Sequence, residues 1–241
     1  MKKATTNETT FICVKPIIKA EYTIRIVGDS PLLVHAWSEK AKKEMLQAQQ
    51  GKKLLKKDKV AKNPAGECAE ALYWLDGKPD IDYSDWTEDL LHQYGKTARF
   101  GFPACAVKAA AISAAYRIGA MKNKVTGNGL FHVFGIDDPE FIEIKTFDES
   151  KPKFEMAEDE VKIGMGTSDL RYRPKFYNWY ADLRIEYNSG SGMIDLDSIL
   201  NMIELGGSAG SVLFAWALWR YVSAKQAKAD SQVVSQKGGE G

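Results

Sequence analysis

The residues of this sequence best suited to binding chemistry are lysines, and they are concentrated in one stretch. The formal net charge of the chain is only +1 at pH 7, yet Glu44 and Asp58 alone oppose the lysines of residues 40–62. Clustered ammonium groups attract polyanions, of which nucleic acid is the commonest. The alternative interpretation is a solvated, lysine-rich helix or loop. The lysines are Lys40, Lys42, Lys43, Lys52, Lys53, Lys56, Lys57, Lys59 and Lys62.

A second cationic segment, residues 169–176, combines three cations with two aromatic rings. Guanidinium and ammonium groups neutralise phosphates, and aromatic rings can stack on unpaired bases. Ion pairing with the acidic patch at residues 155–160 is the alternative role for these cations. Because residues 40–62 offer a further cationic surface, we favour nucleic-acid binding. The segment contains Arg171, Tyr172, Arg173, Lys175 and Phe176.

Three further residues complete the set of candidates. Trp37 can stack on a base and His35 can contact a phosphate, since both follow the first predicted strand. His35 could also act as a general base, but no partner is evident in the sequence, which favours a structural role. Lys108 lies on a predicted helix and is expected to contact phosphate. Cys105 on the same helix has no evident base, so tight helix packing explains it better than nucleophilic chemistry.

The sequence predicts no metal ion and no cofactor. The three histidines have no metal-ligand spacing, and the acidic residues of 80–89 match neither an EF-hand nor a nuclease pattern. Three cysteines without a CxxC pair argue against a disulfide scaffold or a zinc finger. No apolar run reaches the roughly 18 residues that span a bilayer. We see no secretory signal, so we expect a cytoplasmic protein without membrane contact.

Hydrophobic patterns predict an α+β core that positions these candidates. A strand, a helix and further strands in this order indicate the split βαβ, ferredoxin-like plan of RNA-recognition modules. One sheet face is expected to be polar and to carry Arg25, Tyr180 and Arg184. We predict strand 21–28, a helical insertion at 36–98, helix 104–118, strands 130–134 and 141–147, a protruding hairpin at 161–176, strand 178–187, and a helix capped by Asp195 and closed by glycines 206–210.

The domain organisation follows from these elements. Residues 1–20 are predicted to be a polar arm, and residues 21–223 a single RRM-like domain. Residues 212–222 are apolar and aromatic and fit either a buried strand or a short helix. Residues 224–241 have the composition of a disordered tail.

Short motifs resemble the RAMP superfamily, whose members form the guide-RNA-binding backbones of CRISPR effectors. Residues 28–32 resemble the opening of that superfamily after its first strand, and residues 102–110 are similar to its "iPgssLKgalr" helix start. Glycines 206–210 stand where such proteins carry a glycine-rich loop. The resemblance implies a ferredoxin-like fold and RNA binding, and RNA-cleaving relatives use a histidine.

The sequence is also similar to a group of tailed-phage proteins. The shared motifs resemble "PLLvHnWSeKA", "GfPa.a.K.A" and "DLRYRP.F..W" of that group. Residues 212–222 depart from it, since the group continues there as a strand with glycine and arginine. The motifs correspond to residues 31–41, 101–109 and 169–179.

We therefore expect a non-catalytic protein that binds single-stranded RNA or DNA and oligomerises along it. Basic and acidic halves of the insertion suggest head-to-tail contact between copies. Binding by lysines is expected to be sequence-tolerant and salt-dependent. The setting would be phage recombination or replication, or a CRISPR-type complex. Two alternatives stay open: a metal-independent ribonuclease that uses His35, and an inhibitor that docks on a host protein complex through its acidic insertion.

Overall fold

The computed structural model describes residues 16–51, 61–163, 167–208, 215–216 and 219–222. Within them the protein is a mixed α+β structure with antiparallel sheets, which confirms the predicted α+β class. The strands are β1 (Lys19–Gly28), β2 (Leu32–Val34), β3 (Tyr73–Trp74), β4 (Phe100–Pro103), β5 (Phe131–Gly135), β6 (Phe141–Thr146), β7 (Phe154–Ile163), β8 (Thr167–Phe176), β9 (Trp179–Asn188), β10 (Ala215–Trp216) and β11 (Trp219–Val222). The helices are α1 (Glu39–Gln49), α2 (Pro64–Ala71), α3 (Glu88–Thr97), α4 (Ala104–Arg117), α5 (Lys124–Asn128) and α6 (Leu196–Ser208).

The larger sheet has the order β11-β1-β9-β6-β4-β3, and β5 pairs with the same edge of β9 as β6. Every pairing is antiparallel. The alternation predicted for 178–187 is found in β9, where Ala181, Leu183 and Ile185 are buried and face the core. Asp182 and Arg184 lie on the opposite, open face. One face of this sheet is therefore apolar, and the other is available to solvent.

Helices α4 and α6 pack against each other, α4 also contacts β5, and α6 contacts β11. The glycines expected to close the last helix lie partly inside it, because α6 continues to Ser208. A Cβ on Gly206 would stand 2.7 Å from the amide nitrogen of Ala111 in α4, and one on Gly207 would overlap the carbonyl of Trp219. The prediction of a loop at Gly206 and Gly207 is therefore wrong. Close backbone approach between helices outweighs the low helix propensity of glycine; residues 209–210 lie outside the described ranges.

The smaller sheet has the order β10-β2-β8-β7, and β7 and β8 form the protruding hairpin. This hairpin begins at Phe154, so the predicted start at residue 161 is wrong. The acidic patch is one of its two strands, and Asp159 pairs directly with Arg171. Phe154 and Phe176 are buried at the base of the hairpin and attach it to the common core. The turn at 164–166 lies outside the described residues.

The predicted insertion at 36–98 contains α1, α2, β3 and α3. Helix α2 packs against β8, so the insertion is joined to the hairpin. At the C-terminal end, β11 shows that the described part of 212–222 is strand rather than helix. Trp219 is buried there and donates a hydrogen bond to the carbonyl of Ile203 at 3.2 Å. Strand β1 begins at Lys19, two residues before the predicted start of the first strand at residue 21.

Residues 1–15 and the predicted tail at 224–241 lie outside the described ranges. Among the helices that are described, none combines the length and apolar character needed to cross a bilayer.

Candidate nucleic-acid interface

The carboxylate of Asp169 joins the two cationic segments of the sequence. Lys62 Nζ lies 3.1 Å from Asp169 Oδ1, and Arg171 Nε lies 2.8 Å from Asp169 Oδ2. Lys62 Nζ also lies 3.3 Å from a carboxylate oxygen of Glu67 and 5.6 Å from the centroid of the Tyr172 ring. The end of the lysine stretch and the arginine strand therefore lie side by side. Lys62, Arg171 and Arg173 are called the cation cluster below.

Local sequence explains why Lys62 lies at this point. Asn63 caps α2, and its side-chain oxygen accepts a hydrogen bond from Ala65 N at 3.1 Å. The amide of the same side chain donates to the carbonyls of Tyr83 and Trp86 at 2.9 and 3.0 Å. Capping side chains of this kind satisfy backbone groups that a helix end leaves free. Asn63 thereby joins the start of α2 to residues 83–86. Lys62 directly precedes Asn63 in the sequence.

His35 follows β2 and lies beside the arginines of β8. The antiparallel register pairs Leu33 with Lys175, and its continuation brings His35 level with Arg173. Partial burial lowers the pKa of His35 from its ordinary value of 6.5, and Arg173 and Arg171 lower it further. Although the residue is partly open to solvent, its imidazole has no hydrogen-bond partner among the described residues. The ring is therefore neutral at pH 7 and faces cations.

The hairpin neutralises part of its own positive charge. Arg173 NH1 lies 3.8 Å from Asp159 Oδ2, which is longer than a hydrogen bond. Arg173 Nε and Asp159 Oδ2 are both buried and have no hydrogen-bond partner in the part of the chain that the structure describes. Lys175 Nζ lies 5.3 Å from the ring centroid of Tyr177. Arg173 therefore has an ion pair with Asp159 and also, at Nε, a buried N–H donor without a hydrogen-bond partner among the described residues.

Helix α1 carries the described beginning of the lysine stretch. Ser38 caps it, as predicted, since its hydroxyl accepts from Ala41 N at 3.1 Å. Lys42 pairs with Glu39 at 2.6 Å, and Lys43 is exposed. Lys40 belongs to the same helix. The remaining lysines of the stretch before Lys62, namely Lys52, Lys53, Lys56, Lys57 and Lys59, lie outside the described residues.

The ammonium of Lys108 already has a hydrogen-bond partner of its own. It lies on α4, and its ammonium donates to the carbonyl of Asn128 at 2.8 Å. Burial lowers the pKa of this half-buried side chain. The structure therefore joins Lys108 to the C-terminal end of α5, and the sequence contained no signal of that partner.

The open face of the larger sheet is polar, as predicted, but its cations are paired. Arg25 donates two hydrogen bonds to Asp182, at 2.7 and 2.9 Å, and lies 4.3 Å from the ring centroid of Tyr180. Arg184 pairs with Glu186 and also lies 3.2 Å from Glu21 on β1. The cation cluster is ion-paired as well, but the side chains of Lys62 and Arg171 are more exposed, at 40% and 37%, than that of Arg25, at 24%. The cation cluster is therefore the better candidate for phosphate contact.

Glu67 and Asp169 were not among the site residues predicted from the sequence. A sequence does not show which cation a given carboxylate will pair with in space. Within the described ranges, no three His, Cys, Asp or Glu side chains are grouped as a metal site requires.

Comparison of the sequence with models of protein families gives no match, and comparison with curated proteins gives none. Function must therefore be inferred from the site itself.

Proposed function

We propose that the protein is a non-catalytic binder of single-stranded nucleic acid, with the cation cluster as its main phosphate contact. The observation that carries this proposal is the shared carboxylate of Asp169, which has Lys62 on one oxygen and Arg171 on the other. Cations from two distant parts of the chain thus meet on one surface. A phosphate chain can contact both segments at once.

The acidic partners of the cluster weaken its attraction without abolishing it. The side chains of Lys62 and Arg171 are 40% and 37% exposed, and ion pairs of such exposure are worth about 0–1 kcal/mol. Phosphates can therefore compete with Asp169 and Glu67 for these cations. In the sequence, residues 52–60 contribute five lysines against one aspartate and lead directly to Lys62. That excess of positive charge favours a polyanionic ligand.

The strand order supports a ferredoxin-like core as part of the proposal. The units β1-α4-β5 and β9-α6-β11 follow each other along the chain, and the order β11-β1-β9-β5 has antiparallel neighbours throughout. This is the arrangement of a split βαβ fold. Together with the motifs that resemble the RAMP superfamily and the tailed-phage group, it favours a phage-encoded protein of the host cytoplasm. Recombination, replication and a CRISPR-type complex are all compatible settings.

We further propose that copies associate head to tail along the ligand. Acidic side chains of the insertion are exposed between β3 and α3 and in the first turn of α3, whereas α1 bears exposed lysines. Complementary surfaces on opposite parts of one chain generate open filaments unless the rotation closes a ring. The acidic residues are Asp80, Asp82, Asp85, Glu88 and Asp89.

The test is a titration of fluorescein-labelled single-stranded RNA and DNA at several salt concentrations. We expect Arg171→Ala combined with Arg173→Ala to weaken binding several-fold and to reduce the salt slope by up to about 1.4, or about 0.7 for each lost contact. The matched control replaces Arg117 and Arg220, which are exposed and remote in sequence, and so removes the same formal charge. Equal effects in both double variants would remove the hairpin from the interface. A protein that shows neither affinity nor salt slope would favour the protein-binding inhibitor.

The neutral imidazole of His35 gives the ribonuclease alternative its specific support, because a general base must be deprotonated. RNA cleavage also needs an acid for the leaving oxygen, and no described residue hydrogen-bonds the imidazole of His35; the hydroxyl of Tyr73 donates to its backbone carbonyl instead. Incubation of labelled RNA with the protein and with His35→Ala separates the two functions. Cleavage that disappears in the variant would refute the non-catalytic proposal.

A further inference from the structure

A cleft of about 420 Å³ lies next to the cation cluster, and aromatic and charged side chains line it. Trp37 is 48% exposed on one side, and Tyr73 and Phe141 line it with their ring centroids 5.6 Å apart. Lys42 and Lys78 also line it. An exposed tryptophan in an aromatic cleft provides a flat surface on which another ring can stack.

Glu70 also lines this cleft. Its side chain is only 10% exposed, and its one ion pair among the described residues is with Lys78, at 3.6 Å. That distance is too long for a hydrogen bond, and no described residue donates one to this carboxylate. The oxygens of Glu70 are not among the fully buried, unsatisfied atoms of the described residues, so water reaches them and a ligand donor can take the place of that water. The cleft therefore presents an acceptor that is suited to N–H donors of a ligand.

The cleft and the cation cluster are neighbours across one short piece of chain. Ala36 and Glu70 line both the cleft and the adjacent pocket that contains His35, Lys62 and Arg171. Ala36 is buried and its amide donates to the carbonyl of Ala71 at 2.8 Å. His35 and Trp37, on either side of Ala36, are both exposed. A ligand can thus place a phosphate at the cluster and a ring in the cleft.

We propose that this cleft holds one unpaired nucleobase, stacked on Trp37 and donating an N–H group to Glu70. The inference rests on the proposed function and adds the structural feature by which the protein distinguishes single strands from duplexes. Each base carries at least one N–H donor on its Watson–Crick edge, and a duplex occupies that donor and both faces of the base. The cation cluster alone would accept the phosphates of either form. The cleft requires an unpaired base without requiring a particular one.

The experiment compares a fluorescein-labelled oligothymidylate with an abasic deoxyribose-phosphate chain of the same length. We expect the protein to bind the base-bearing chain about tenfold more tightly, as stacking on an aromatic side chain typically contributes. Trp37→Leu should bring the two affinities together without changing the affinity for the abasic chain. Glu70→Gln should narrow the preference for the base-bearing chain, because a neutral amide oxygen is a weaker acceptor than a carboxylate. It should also tighten the binding of both chains, because it removes a negative charge from the pocket that contains Lys62 and Arg171. Tyr116→Leu is the matched control, because Tyr116 is 45% exposed on α4 and does not line the cleft. Thermal melting of each variant checks that the fold is intact.

The outcomes separate this inference from the proposed function. If the unchanged protein binds both chains equally and with a salt slope, phosphate binding stands and the base subsite is refuted. If Trp37→Leu keeps the full preference for bases, the base binds elsewhere and the inference is equally overturned. If neither chain binds, the proposed function itself fails. Glu70→Gln provides an independent test should Trp37→Leu fail to fold.

Discussion

The most discriminating prediction concerns Asp169→Asn, because the two possible roles of this carboxylate predict opposite results. Asp169 is charged at neutral pH, since a hydrogen bond from Lys62 and the charge of Arg171 hold its pKa below the usual range. If the cation cluster binds phosphates, Asp169 competes with the ligand. Asparagine is close to aspartate in size and removes only the charge. We therefore expect tighter nucleic-acid binding in this variant.

The structure sets the size of the effect. Arg171 has no other ion pair among the described residues, whereas Lys62 keeps Glu67 at 3.3 Å. The variant should therefore free at least one cation and at most two. Each additional phosphate contact steepens the salt slope by about 0.7, which corresponds to about fivefold tighter binding at 0.1 M relative to 1 M salt. The expected steepening is about 0.7 to 1.4.

The cost to folding should be small. The Asp169 side chain is 33% exposed, and Lys62 and Arg171 are similarly accessible. Pairs of this kind contribute at most about 1 kcal/mol. The free energy of unfolding in urea should thus fall only slightly, while the affinity for single-stranded oligonucleotide rises.

The assay is fluorescence anisotropy over a series of salt concentrations, with Asp29→Asn as the matched control. Asp29 pairs with Arg220 at 3.0 Å and is also partly exposed, so the control makes the same charge change elsewhere. An equal rise in both variants would indicate a general charge effect. Weaker binding or a flatter slope in Asp169→Asn would show that the carboxylate holds the cluster together for another purpose, which would refute the reasoning.

Two further predictions test the helix packing and the histidine. Gly206→Ala should destabilise the protein by about 1–3 kcal/mol, because its Cβ would stand 2.7 Å from Ala111 N; Gly129→Ala, with no neighbour nearer than 3.7 Å, should change the urea midpoint little. Equal midpoints would contradict the close approach of α4 and α6. NMR titration should give His35 a pKa below 6.5 in the folded protein. As the pH drops from about 6.5 towards that lower pKa, the unfolded chain binds the proton while the folded protein does not. The free energy of unfolding should therefore fall over this pH range. Bound phosphate should raise this pKa, so affinity should increase on acidification in the unchanged protein and not in His35→Gln; a pH-independent affinity would count against His35 as a phosphate contact.

Periodic and capped elements were predictable because their signals are local. The alternation of β9 depends on residues two positions apart, which face the same side of a strand. Ser38 and Asp195 could be assigned as caps because each accepts a hydrogen bond from an amide three residues later. Such contacts lie within one turn of chain, so the sequence contains both partners.

The errors came where a distant partner decides the structure. Gly206 and Gly207 suggested a helix end, yet α4 and β11 press against them and keep them in the helix. The acidic patch was predicted to precede the hairpin, with ion pairing to the arginines as an alternative, yet it forms the first strand of the hairpin because both strands are attached to the core through Phe154 and Phe176. Neither neighbour is visible in a local pattern.

The sequence by itself determined that this is an α+β chain with two concentrations of positive charge and a tryptophan, Trp37, close in sequence to one of them. The tertiary structure alone decided that Lys62 and Arg171 share the carboxylate of Asp169, although Lys62 and Asp169 are 107 positions apart. It also decided that Glu70, which accepts no hydrogen bond from a described residue, lines both the aromatic cleft and the pocket that contains Lys62 and Arg171. The physical reason is that Coulomb energy and hydrogen bonding depend on separation in space, and only the packing of α2 against β8 sets that separation.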